Sequence, residues 1–257
     1  MHATIRKDAL TGRLLTGTWL SLGHAAAAEM AAQAGFDWLL IDHEHGVSDW
    51  RELEHQLQAA AAGGSAATVL RVGAVDAAVF KRAFDLGVHG LMVPDVRDAR
   101  TALQVVDFSR VPPLGQRGAA TSTRNSAYGR DYTKYVATIN DRLWLMAQIE
   151  SSEGLAQAEA IAAVDGIDVL FVGPTDLGIA LGLGAGTPSD PKFRDVLLQV
   201  VKAATLHGKA AGVLARDAAQ AQEYLALGYS VISMGSDRGI LAQGMRQCAQ
   251  QLRKLVS

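Results

Sequence analysis

Eight short apolar runs, recurring along the chain at the spacing of strand–helix units, constrain its fold more than any other feature. They are LLTGTWL (14–20), DWLLI (37–41), ATVLRV (67–72), HGLMVP (89–94), RLWLMAQIE (142–150), DVLFVG (168–173), KAAGVLA (209–215) and YSVISMG (229–235). A strand buried on both faces is written as a continuous apolar run rather than as an alternation. A helical stretch or a loop follows each run, and several of the helices have legible ends. Asp49 with Glu52 forms a capping pair, and Asp76 and Asp217 stand at N-cap positions. Gly35, Gly87, Gly208 and Gly228 fall where a helix needs a left-handed residue before the next strand. Alternation of this kind means a parallel sheet. Eight units in 257 residues, the length of one (β/α)8 domain, predict a single closed TIM barrel of the α/β class spanning 1–257. An open, doubly wound sheet is the alternative topology.

One segment interrupts the rhythm. Residues 108–141 hold paired prolines, several glycines and no long apolar stripe before Tyr132. A long excursion in a compact fold is usually functional or disordered. Following the fourth strand, it is expected to rise over the catalytic face of the barrel. A full helix is expected after the eighth strand, at 237–256.

Composition excludes several classes of function. The formal net charge is -2, with no block of like charge, which argues against nucleic acid or an anionic membrane as partner. A single cysteine, Cys248, rules out an intrachain disulfide and a cysteine-cluster zinc site, and fits a reducing cytoplasm. The first fourteen residues lack the apolar core of a secretory signal, and no apolar run reaches the roughly 20 residues of a membrane span.

Barrels keep their chemistry at the C-terminal ends of the strands. Those ends carry Trp19, then Asp42-His43-Glu44-His45-Gly46, then Arg71, Gln148 with Glu150, and Gly173-Pro174-Thr175-Asp176. Glu150 and Asp176 are the metal candidates. Two carboxylates, with water and substrate oxygens filling the remaining positions, suit a hard cation such as Mg2+ or Mn2+. Each has a plainer reading too: Asp176 as a helix N-cap, Glu150 as an acid favoured by a helix dipole. The turn at 173–176 presents backbone N–H groups to a carboxylate or phosphate, or is simply a tight turn. His45 follows Asp42 by three residues, so an aspartate that orients the imidazole would make it a general base. His43, as a strand neighbour, is free to point to the opposite side. Arg71 ends an apolar strand, where burial demands an anionic partner, either an internal carboxylate or the substrate's.

What is missing is equally telling. Of the seven lysines only Lys209 touches a strand, at its N-terminal end, so no lysine is placed to form a Schiff base. No GxGxxG or GxxxxGK[ST] loop is present for a dinucleotide or nucleotide.

With those residues in place, the segments IDHEHG (41–46), LRV (70–72), QIES (148–151) and FVGPTDLG (171–178) resemble, in order and spacing, the HpcH/HpaI aldolases, which are class II pyruvate aldolases. The resemblance covers essentially the whole chain. It implies a lyase that makes or breaks a carbon–carbon bond between pyruvate, or a similar 2-oxo acid such as hydroxypyruvate, and an aldehyde. It further implies His45 as proton acceptor, with Asp42 and Asp85 raising its basicity, and Arg71 as stabiliser of the enolate. Glu150 and Asp176 would hold a divalent cation (Mg2+, Mn2+ or Co2+); Gln148, Thr175 and Asp176 would bind the pyruvoyl part, and Trp19 would wall the pocket. Neither PLP, NAD nor a Schiff-base lysine would be needed. A homohexamer, with the last helix packed on a neighbour, is implied as well. Two departures lie beside the site: His43 replaces a small residue, and 173–178 reads GPTDLG rather than the commoner GPADLS. A CoA-ester lyase of the malyl-CoA or citrate-lyase type is a second reading, and a non-catalytic barrel that binds a metal–carboxylate ligand is a third.

Overall fold

A computed structural model describes residues 5–255. Eight parallel strands close into a barrel in chain order: β1 (Leu15–Leu20), β2 (Trp38–Asp42), β3 (Ala67–Arg71), β4 (Gly90–Val93), β5 (Trp144–Ile149), β6 (Val169–Val172), β7 (Ala210–Ala215) and β8 (Val231–Ser236). Each lies within two residues of its expected bounds. Closure is made by β1 pairing with β8, where the register slips between Gly17 and Trp19. The open sheet is thereby excluded.

The helices are α1 (Ile5–Leu10), α2 (Ala25–Gln33), α3 (Trp50–Gly63), α4 (Ala77–Leu86), α5 (Ala99–Ser109), α6 (Tyr132–Arg142), α7 (Ser152–Ala156), α8 (Ala158–Ala162), α9 (Pro174–Ala180), α10 (Pro191–Leu206), α11 (Ala218–Leu227) and α12 (Asp237–Arg253). The expected caps form. Asp49 and Glu52 make a complete capping box on α3, and Asp76 and Asp217 cap α4 and α11. Gly35, Gly87, Gly208 and Gly228 all have positive φ, as a chain leaving a helix requires. The helix expected at 237–256 is α12; position 256 lies outside the described residues. Helix α1 precedes the first of the expected strands. It buries Ile5 and Ala9 in the barrel interior, and Arg6 donates to the buried Asp168 at 2.7 Å.

Two apolar layers hold the fold. The larger lies between the strands' outer face and the helices; the smaller fills the barrel and includes Trp19, Trp38, Leu40, Met92, Trp144, Met146 and Phe171. Room for the interior aromatics comes from glycines standing beside them in register: Gly17 next to Trp38, Gly90 next to Trp144, and Gly212 next to Phe171. A Cβ at Gly17 would lie 2.3 Å from the Trp38 ring, and one at Gly212 2.5 Å from the Phe171 ring. Trp38 then packs edge-on against both Trp144 and Phe171, with ring centroids 5.7 and 6.2 Å away.

The excursion does not cover the catalytic rim, contrary to expectation. It folds down along α4 to the opposite end of the barrel. Arg124 Nη1 donates to the Leu86 carbonyl at 2.8 Å, and Asn125 Nδ2 donates to the Phe84 carbonyl at 2.9 Å, both at the last turn of α4. The buried Arg117 ties the segment together: it donates to the Ser109 carbonyl and the Tyr135 hydroxyl and stacks 4.6 Å from the Phe84 ring. Carbonyls at the end of α4 and the hydrogen bonds of buried Arg117 hold the segment there.

The glycine–aromatic pairing yields a stability test. A Cβ at Gly90 would lie 2.1 Å from the Trp144 carbonyl oxygen, which is backbone and cannot swing away. Gly90→Ala is expected to cost about 2–3 kcal/mol or more in urea unfolding. Gly118→Ala, whose Cβ would meet only the end of Lys81 at 3.7 Å, should stay within about 0.5 kcal/mol.

Candidate active site

The C-terminal rim gathers most of the expected residues. Asp42 and Arg71 end β2 and β3 and stand opposite each other in register. Both are buried, at 2% and 5% exposure, so each is tolerable only because of the other. Arg71 Nε donates to Asp42 Oδ1 at 2.9 Å and Nη2 to Oδ2 at 2.8 Å, a bidentate pair. The anionic partner that Arg71 demanded is therefore internal. Burial alone would raise the Asp42 carboxyl, but the Arg71 hydrogen bonds and charge, joined by the N–H groups of His45 and Glu44, hold it below the usual range. Trp19 lies beneath the guanidinium, 4.4 Å from centroid to Cζ, and its Nε1 donates to Ser233 Oγ at 2.8 Å. It is the floor under Arg71.

Glu150 follows β5, and Asp176 is the third residue of α9. Glu150 Oε1 accepts from the Asp95 N–H at 2.8 Å, and Oε2 accepts from Gln148 Nε2. Burial, with the charges of Glu44 and Asp176, pushes the Glu150 carboxyl up to about 7. Asp176 is not an N-cap: Gly173 holds that position, without a side-chain cap, and the Asp176 carboxylate stays uncommitted and exposed with Thr175. Gly173 lets the backbone pass close, since a Cβ there would lie 2.8 Å from Glu150 Oε2 and 3.0 Å from Gln148 Nε2.

These residues fit a hard cation. Gln148 Oε1 is buried with no hydrogen-bond donor, and the donors at hand are all oxygens. A positive charge would relieve the crowding of Glu44, Glu150 and Asp176. Among the described residues no three His, Cys, Asp or Glu side chains converge as a ready-made ligand set, so water and substrate oxygens would complete the shell.

The histidines depart from expectation in an informative way. Asp42 grips the backbone of His45, accepting its N–H at 3.2 Å, rather than its ring. The imidazole is largely exposed, and the acid nearest its Nε2 is Glu44, at 3.9 Å. Glu44 also approaches Arg71 Nη1 at 2.9 Å. His43 points to the outer side of the strand, edge-on to Trp50 at 5.5 Å, and burial lowers its basicity against the pull of Asp42, Asp49 and Glu52. Asp85 is not brought to this rim by its own chain. It sits in the last turn of α4, beside Asn125, because a helix after a barrel strand runs back toward the strands' N-terminal ends. Burial raises its carboxyl, opposed by Arg117 and Lys81.

Sequence reading missed four contributors: Glu44 as an ionic partner, Ser233, the Asp95 backbone and Asp237. Asp237 accepts from the N–H groups of Ser21 and Leu22 at 2.8 and 3.1 Å and so anchors the loop after β1. A Pro-Asp pair after β4 and a Ser-Asp pair after β8 were the only local signals. No lysine lies on a strand.

With this geometry in view, comparison with known proteins is direct. A family model described as HpcH/HpaI aldolase/citrate lyase matches residues 15–243. The chain is 37% identical over 243 residues to a hydroxypyruvate/pyruvate aldolase of Pseudomonas aeruginosa, covering 95% of this chain and 90% of that protein. It is 40% identical over 240 residues to a 4-hydroxy-2-oxovalerate aldolase of Rhodococcus jostii (strain RHA1), covering 93% and 92%. The crystal structure of a HpcH/HpaI aldolase/citrate lyase family protein from Burkholderia cenocepacia J2315 superposes with a TM-score of 0.91 at 36% identity, over 98% of this chain and 99% of that one. A rim built on Asp42–Arg71 and Glu150–Asp176, and likeness along nearly the full length, place this chain in the HpcH/HpaI aldolase/citrate lyase family.

Proposed function

We propose that the protein is a divalent-metal-dependent aldolase that cleaves and forms the carbon–carbon bond between pyruvate, or hydroxypyruvate, and an aldehyde. The observation that carries this reading is the convergence of a buried arginine and two acids, Glu150 and Asp176, on a rim whose strands carry no lysine among the described residues. Glu150 and Asp176 would hold the cation, Mg2+, Mn2+ or Co2+, which would supply Lewis acidity toward the keto group of the 2-oxo acid. Gln148, whose Oε1 lacks a donor, and Thr175 hold the pyruvoyl part. In cleavage, His45 takes the proton from the 4-hydroxyl, the C3–C4 bond breaks, and an aldehyde leaves. Arg71 stands where negative charge develops on the pyruvate enolate, already oriented by Asp42 and Trp19. Addition is the same path reversed.

A homohexamer completes the reading. Helix α12 buries no residue, and Ile240, Leu241, Met245 and Leu252 along it are exposed, an apolar face suited to a neighbouring copy. Among the described residues no helix is long and apolar enough to cross a membrane. The single cysteine, exposed Cys248, suits a reducing cytoplasm.

Three measurements test this reading. Arg71→Ala should lower kcat/KM by about 10²–10³-fold, the usual worth of a charge-stabilising donor. It should also lower unfolding free energy by about 3–5 kcal/mol, because Asp42 is left buried and unpaired; lost stability with intact kcat would make the arginine structural only. For His45, kcat/KM for cleavage measured at saturating Mn2+ should rise with pH through one ionisation, and His45→Ala should remove that limb and slow turnover about 10²–10⁴-fold. EDTA should abolish activity and Mg2+, Mn2+ or Co2+ restore it, while borohydride with pyruvate leaves no adduct on any lysine. Glu150 with its pKa raised to about 7 must lose its proton to bind a cation. Calorimetric Mn2+ affinity should therefore fall about tenfold per pH unit below 7 and be strongly reduced in Glu150→Gln.

A further inference from the structure

The acid that faces the His45 imidazole is not Asp42. Both Asp42 oxygens are committed: Oδ1 to Arg71 Nε and to the N–H groups of Glu44 and His45, Oδ2 to Arg71 Nη2. Glu44 still has an acceptor to offer. Its Oε2 is buried and receives no hydrogen bond, although it lies 2.9 Å from Arg71 Nη1 and 3.9 Å from His45 Nε2. That contact with Arg71 is ionic, without hydrogen-bond geometry. A buried carboxylate oxygen without a donor is costly, and closing the gap by about 1 Å would bring the imidazole N–H into hydrogen-bond range. The His45 side chain, 68% exposed, has no hydrogen bond to another described residue that would oppose this movement.

We propose that Glu44 is the positioning carboxylate of His45 and couples that base to Arg71. The proposal rests on the aldolase reading and adds a residue to it. One acid stands between the imidazole and the guanidinium. When an anionic substrate occupies the free N–H groups of Arg71, Glu44 is released from competition for that cation and His45 becomes its remaining donor. A hydrogen bond from Nε2–H to Glu44 then fixes the tautomer with the lone pair on Nδ1, which makes Nδ1 the accepting atom. The charged groups acting on Glu44 are Arg71 on β3, Asp42 and His45 on its own strand and loop, Asp176 on α9, and Glu150 just after β5. Burial raises the Glu44 carboxyl; Arg71 and His45 oppose that rise, while Asp42 and Asp176 add to it.

The test is Glu44→Gln in the full chain, which keeps shape and removes charge. Without substrate, the midpoint of the His45 titration followed by 15N NMR should move to lower pH by roughly 0.5–1 unit, as expected for losing a negative charge about 4 Å away. The His207 titration, at the far end of the barrel, should stay in place. In the cleavage assay kcat should fall about tenfold, and the pH limb of kcat/KM should shift down with the NMR midpoint. In the addition direction KM for pyruvate should not rise, since Arg71 keeps Asp42 and loses a competing anion. Glu44→Asp, which keeps the charge at shorter reach, should recover part of the lost kcat. An unmoved His45 midpoint in Glu44→Gln would overturn the coupling even in an active aldolase. A moved midpoint in a chain that cleaves no 4-hydroxy-2-oxo acid would leave the coupling intact and overturn the aldolase reading instead.

Discussion

The barrel closes because three in-register neighbours of its interior aromatics have no side chain. Gly17, Gly90 and Gly212 sit beside Trp38, Trp144 and Phe171, and any Cβ at those places would meet an aromatic ring or the neighbouring backbone. Protein interiors tolerate neither voids nor overlap, so large must face small around so narrow a ring of strands. Everything functional depends on that closure. It sends the C-terminal ends of β2, β3, β5 and β6 to one rim and brings residues 134 positions apart, Asp42 and Asp176, into one site.

On that rim, charge rather than shape does the organising. Arg71 ends a strand that is apolar apart from Thr68, and its burial is tolerable only through the bidentate pair with Asp42. Asp42 is consumed in the process: it fixes the arginine and the backbone of the loop that carries His45, and has no oxygen left for the imidazole. Glu44 then falls into the gap between guanidinium and imidazole. On the other side, Glu150 and Asp176 add two further acids near Glu44, while Arg71 is paired with Asp42. Burial first, and then the charges of Glu44 and Asp176, push the Glu150 carboxyl up to about 7.

Segments outside the barrel follow a different logic. The 108–141 excursion is drawn to the carbonyls at the end of α4 and locked by buried Arg117, so it serves the bottom of the barrel and leaves the rim open. Helix α12 does the reverse, burying nothing in its own chain and presenting apolar residues outward. The overall fold is shared with the Burkholderia cenocepacia protein, although only 36% of the residues are identical. Packing of large against small and pairing of buried charges are demands that many sequences meet.

How much of this was legible in the chain can be traced residue by residue. The eight strands could be read because double-sided burial writes each as a local apolar run, and the helix ends because Asp49, Asp76, Asp217 and four glycines act on their immediate neighbours. The candidate residues at the strand ends were readable for the same reason, since a polar group closing an apolar run is a local event. Which of them touch was not readable. Asp42 turned to Arg71 instead of the His45 ring, Asp176 stood free instead of capping its helix, and Asp85 ended at the opposite side of the barrel. Helix α1 (Ile5–Leu10) was not read from the chain, because its two buried residues, Ile5 and Ala9, make sense only against an interior built by distant strands. Local order in the chain determined the elements and the inventory of chemical groups. The tertiary structure alone decided the partners, because a buried charge takes whichever counter-charge closure brings within about 3 Å, and sequence distance does not enter that choice.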